Sequence, residues 1–115
     1  MSLADWGLLS RLELTGMEFR VLAAFMSYVP EKGGATAFCT LQEVADMVGS
    51  KLPNVSKVVK DLRGRNVVWR ERNGRWRVNA WLVFNGDFDS WNTDAEEDPE
   101  PVWVRRVHRG TGEVY

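Results

Sequence analysis

The chain has 115 residues, 44% of them apolar and 27% charged, with 15 basic against 16 acidic side chains and a formal net charge of −1. Those are ordinary values for one globular domain with a single modest core, and they argue against a disordered or fibrous chain. No apolar run approaches the roughly 18 residues of a membrane span and no secretory leader is evident, so a cytoplasmic protein without a membrane partner is expected.

In chain order, residues 3–12 (LADWGLLSRL) read as a short amphipathic helix, weakened by Gly7 and capped by Ser2. It serves either as a lid over the core or as a dimerisation helix. Thr15 and Glu18 have the spacing of a capping box, in which hydroxyl and carboxylate each satisfy an orphan backbone N–H. They open a helix from Gly16 to Val29 that Pro30 ends. Phe19, Val21, Leu22, Ala24, Phe25 and Met26 make this helix apolar almost all round, which predicts a buried central element whose aromatics are core. A loop through Gly33 and Gly34 leads to a short strand, Ala35 to Cys39, expected to pair with a later hairpin. The lone Cys39 is read as a small hydrophobe in that strand.

The stretch Thr40 to Lys60, TLQEVADMVGSKLPNVSKVVK, organises the rest. Leu41, Val44, Ala45 and Val48 share one helix face, behind a second capping box formed by Thr40 and Glu43. Gly49 sits where a left-handed residue closes a helix. A second helix follows, with Pro53 in its first turn and an apolar face of Val55, Val58, Val59 and Leu62. At about 100° per residue, the opposite face carries Pro53, Lys57 and Lys60, flanked by Asn54 and Asp61 on one side and Ser56 and Arg63 on the other. Two helices, a glycine-bearing turn and a basic outer face describe a helix-turn-helix.

Next comes a hairpin, Val67 to Arg72 and Arg75 to Asn79, about Asn73-Gly74, a pair suited to a type I′ turn. Pairing back from that turn sets Arg72 opposite Arg75, Glu71 opposite Trp76, Arg70 opposite Arg77 and Trp69 opposite Val78. Alternation then collects Arg70, Arg72, Arg75 and Arg77 on one face, and Trp69, Trp76 and Val78 on the other. Such an arginine face would repel itself without a polyanion to meet. Trp81 to Phe84 continue as an apolar segment that packs the hairpin base or an oligomer partner.

Residues 50–79 hold nine bases against two acids, a local charge of +7, whereas residues 89–101 hold six acids and no base. Local field rather than net charge decides what docks on a surface. The acidic stretch is Pro-containing and aperiodic, so residues 89–101 are expected to form a flexible, solvated linker with no share in the core. It either competes with an anionic ligand for the basic face or acts as a spacer. It separates a domain at 1–88 from a C-terminal extension at 102–115, where alternation and Gly110-Thr111-Gly112 suggest a small hairpin.

Catalytic chemistry is thinly represented. The single histidine, His108, lacks Cys, His or carboxylate partners at metal-ligand spacing, and Gly33-Gly34 lacks the Lys-Ser/Thr of a phosphate-binding loop. No metal, no cofactor and no enzymatic activity are expected.

The segment TLQEVADMVGSKLPNVSKVVKDLRGRNVVWRERNGRWRVN resembles the winged-helix DNA-binding domains of the MarR-like superfamily over about residues 15 to 80. The strings LTGMEFRVLAAFMSYV, FCTLQEVA and VNAWLVFNGD are most similar to RepL-type plasmid replication proteins. The chain departs from the common pattern at Lys51, where such domains place a serine or threonine cap; Ser50 is the alternative. The resemblance implies an α+β winged helix: a three-helix core with a helix-turn-helix, a two- to three-stranded β-wing and a short C-terminal extension. It also implies sequence-specific binding of double-stranded DNA, by a replication initiator of a plasmid or phage-like element or by a transcriptional regulator. A homodimer and contacts with replication or transcription machinery would accompany either role.

On this reading Asn54 and Lys57 meet base edges, with Pro53 and Ser56 beside them on the same outer surface. Ser50, Lys51, Lys60 and Arg63 meet phosphates, and Arg70, Arg72, Arg75 and Arg77 lie along the adjacent backbone or reach a minor groove. The alternative is a winged helix used as a protein-interaction module without DNA specificity.

Overall fold

The computed structural model describes residues 6–31, 34–82 and 97–103. Helix α1 is Trp6–Arg11, α2 is Gly16–Ser27, α3 is Leu41–Val48 and α4 is Leu52–Gly64. Strands β1 (Thr36–Ala37), β2 (Val68–Arg72) and β3 (Arg75–Val78) form a three-stranded antiparallel sheet in the order β1-β3-β2. This is an α+β arrangement compatible with a winged helix. Among the described residues no helix is long and apolar enough to cross a membrane.

Both capping boxes are present. The Thr15 hydroxyl accepts from Glu18 N at 3.1 Å while Glu18 Oε1 accepts from Thr15 N at 2.9 Å. Thr40 and Glu43 repeat the pattern at 3.1 and 3.0 Å. Caps of this kind are worth about 1 kcal/mol each, and both helices begin where their caps stand. At the other end of α3, Gly49 adopts φ 69°, and Ser50 N reaches back to Ala45 O at 3.0 Å. This backward bond lets the chain reverse directly into α4.

Helix α2 is central, with Val21, Leu22 and Phe25 fully buried. Leu9 and Leu12 pack into the same core, so α1 and the residue after it help to cover α2. Phe25 meets Trp76 of β3 at a centroid distance of 5.1 Å and fastens the helices to the sheet. Phe19 departs from the expectation of an all-core helix, being 46% exposed. Its side of α2 is not covered by the sheet or by α4, and its neighbours across the groove are Met47 and Val48 of α3. Cys39, just past β1, is buried, and burial together with Glu43 pushes its thiol up to about 11.

The hairpin corrects the predicted register. Arg72 does pair with Arg75, but Glu71 bulges out; Arg70 then faces Trp76, Trp69 faces Arg77 and Val68 faces Val78. Only Gly74 of the turn has positive φ, at 72°, whereas a type I′ turn requires it at both central residues. A left-handed glycine combined with a bulge is the closure used by three-residue hairpin loops. The physical reason is burial. The slip sets Val68 beside Val78 on the core face, both fully buried, with Trp76 next along.

Residues 97–103 run back across the fold. Asp98 Oδ2 accepts from Ala80 N at 2.8 Å, Pro99 O accepts from Asn79 Nδ2 at 2.7 Å, and Pro101 is buried. For Glu97–Pro101 the expected flexible linker with no share in the core is therefore corrected: this part is tied to the base of the hairpin. Residues 89–96 and the predicted terminal hairpin beyond Trp103 lie outside the described residues, as do Ser2 and His108.

Candidate nucleic-acid interface

Helix α4 presents one face to the core and the other to solvent. Val55, Val59 and Leu62 are buried and Val58 packs against them, which leaves Pro53, Asn54, Ser56, Lys57, Lys60 and Arg63 exposed. The predicted outer face is therefore reproduced residue by residue. Lys51 is the N-cap, exposed and without a side-chain capping bond, and Pro53 lies in the first turn. Ser50 is not the cap, because α4 begins only at Leu52 and Lys51 holds the cap position. The Arg20 guanidinium of α2 donates to Val48 O at the end of α3 and braces the turn between the two helices.

The wing arginines are not equivalent. Arg70 and Arg72 are exposed. Arg75 is half-buried, with its guanidinium carbon 5.1 Å from the centroid of Phe38, an aromatic that is itself 46% exposed. Arg77 donates from Nε and Nη2 to Asp98 Oδ2 at 3.2 and 3.0 Å, and the two side chains are only 15% and 10% exposed. The expected four-arginine face is corrected accordingly. The bulge at Glu71 transfers Arg70 to the face of Trp76, and Trp69 takes its place beside Arg77.

A cleft of 760 Å³ lies between α4 and the wing. Ser56, Lys60 and Arg63 line it from α4, and Trp69, Arg70 and Trp76 from the sheet. Glu97, Asp98 and Pro99 line it from the returning segment. The cleft is thus basic and aromatic along the helix and wing, and acidic where residues 97–98 enter. Sequence reasoning misses the contributions of Phe38, Trp69 and Asp98. It places Trp69 on the wrong face, and the acidic, aperiodic composition around Asp98 carries no signal of a fixed position there.

The returning segment is held mainly by one buried residue. Arg65, at the end of α4 and 6% exposed, donates from Nε and Nη2 to Val102 O at 3.1 and 2.8 Å. It also donates to Trp103 O at 3.0 Å and, through Nη1, to Glu13 O. Val102 N returns a bond to Arg65 O at 2.9 Å, and Glu13 N donates to Trp103 O at 2.7 Å. Trp103 lies under the Arg11 guanidinium at 5.5 Å and packs edge-on to Trp81 at 6.5 Å. Burial lowers the affinity of the Arg65 guanidinium for its proton, and Glu13 acts in the opposite direction.

No family model matches the chain, and no curated protein matches it. Among solved structures it is similar to a transcriptional regulator of the CRP/FNR family from Thermus thermophilus, at 22% identity and a TM-score of 0.45. That match covers 82% of this chain, which spans 47% of the other.

Proposed function

We propose that this chain binds double-stranded DNA, with α4 lying in the major groove and the wing beside the adjacent backbone. The observation that carries this reading is the outer face of α4. Across 13 residues, about 20 Å of helix, its polar and basic side chains are all exposed while the opposite face is locked into the core. A helix of that width fits a major groove, where each base pair shows its own donor and acceptor pattern. Asn54 and Lys57 are the proposed readers, toward adenine and guanine edges respectively. Lys51, Lys60 and Arg63 set the register on phosphates, together with Arg70 and Arg72 of the wing. Ser50, Pro53 and Ser56 border this surface, and no catalytic step is assigned to the chain.

The finer role follows the resemblance of the helix-turn-helix and post-wing segments: a replication initiator of a plasmid or phage-like element, or a transcriptional regulator. Selection of bound sequences from random duplexes, followed by titration of a selected and a scrambled site across salt, tests the reading. Preference for the selected site with a negative slope of log K against log salt is the expected result. Equal binding to both sites would favour the interaction-module alternative.

A further inference from the structure

We propose that residues 97–103 form an internal strap that competes with DNA phosphate for the wing side of the cleft, with Asp98 as the competing group. This rests on the DNA-binding reading and adds a regulatory element to it. Asp98 is the residue that does two things at once: it lines the cleft that α4 and the wing share, and it receives two hydrogen bonds from Arg77. A carboxylate accepting two N–H bonds from one guanidinium is chemically what a phosphate oxygen would offer at the same place. Glu97, immediately before it, lines the same cleft as Lys60, Arg63 and Arg70 and adds a second negative charge to it.

The strap stays attached without the Asp98 charge. Further fastenings engage backbone atoms of the strap, Pro99 O with Asn79 Nδ2, Glu100 O with Asn66 Nδ2, and Val102 and Trp103 with Arg65, and the Trp103 ring packs on Arg11 and Trp81. Ala80 N donates to Asp98 Oδ2, a bond that an amide oxygen at the same position also accepts. Removing the charge therefore leaves the path of the strap in place while it weakens the hold on Arg77. In the wild-type chain duplex DNA is engaged by α4 and the outer wing, and the inner wing at Arg77 joins only when the carboxylate gives way. The strap's far end is anchored at the α1–α2 connection through Glu13, so a partner that moved this connection would act on the same contact.

The test is a cycle of Asp98→Asn, Arg77→Gln and the double variant, read as duplex affinity from 50 to 200 mM salt. Asp98→Asn is expected to bind several-fold tighter at low salt, with a salt slope steeper by about 0.9, the value for one further phosphate contact. The added affinity should fall about 3.5-fold over that salt range, as one such contact requires. Arg77→Gln alone should leave the wild-type slope unchanged, and in the double variant the gain should vanish. Wild-type affinity and slope in a folded Asp98→Asn protein overturn the proposal. So does a shallower slope for Arg77→Gln alone, which would place Arg77 on phosphate with the strap in position and needs no Asp98 variant to be stable. If neither wild type nor Asp98→Asn binds any duplex, the DNA reading falls and the strap proposal with it. If wild type binds and the cycle is flat, only the strap proposal falls.

Discussion

The two basic surfaces of this protein differ in how their charges are held. On α4, Lys57, Lys60 and Arg63 stand exposed on a helix whose other face is buried. On the wing, Arg75 lies against Phe38 and Arg77 is bound to Asp98. A count of charges treats the two surfaces alike. A carboxylate that already accepts the N–H groups of a guanidinium must be displaced before a phosphate can use them, so the helix is a readier surface than the wing at Arg77. The base of the wing is instead organised by buried polar contacts that join residues far apart in sequence, with Arg65 and Asn79 at their centre.

The contrast can be broken most severely at Arg65. Replacing it with Ala removes a buried charged donor to the carbonyls of Glu13, Val102 and Trp103, and bonds to charged groups are worth about 1.5–3 kcal/mol each. A loss of about 3 kcal/mol in denaturant unfolding is expected. An unchanged midpoint would show that the latch holds nothing. On the helix, Asn54→Ala and Lys57→Ala should each cost about 1–3 kcal/mol on a selected duplex, the worth of a good hydrogen-bonded pairing with a base edge, and much less on a scrambled one. Neither side chain supports the core, so melting temperatures should stay at the wild-type value. Equal losses on both duplexes would mean that these two residues do not read bases.

A milder change tests how α4 is placed. Gly49 holds φ 69° with open space around its missing side chain, so Gly49→Ala meets backbone strain but no steric clash. The expected cost is about 1–2 kcal/mol of stability. A neutral substitution would mean that the turn relaxes freely and that its left-handed geometry does not position the helix. The smallest effect is expected at Lys60. Lys60→Ala should weaken selected and scrambled duplexes alike and lower the salt slope by about 0.9. A loss confined to the selected site would move Lys60 among the base readers and sharpen the division of labour along α4.

Local signals were sufficient for the helices. The capping pairs Thr15/Glu18 and Thr40/Glu43, the left-handed Gly49 and the spacing of Val55, Val59 and Leu62 each act within a turn or two of chain, and each stands where its pattern placed it. They also determined which side chains of α4 face outward, because burial of one helix face dictates exposure of the other. Only the tertiary structure decided the face of Arg70 and Trp69. A one-residue bulge at Glu71 exchanges them, and what sets it is the burial of Val68 beside Val78 rather than the turn sequence. The strap was equally illegible. Glu97–Pro101 has the composition of a solvated spacer, and the place of the strap comes from Asn66, Arg77 and Asn79, with Arg65 holding Val102 just beyond, all across 20 or more residues of chain. Hydrogen bonds and ion pairs over such separations leave no periodicity in a sequence; they exist only once the fold has brought the partners together.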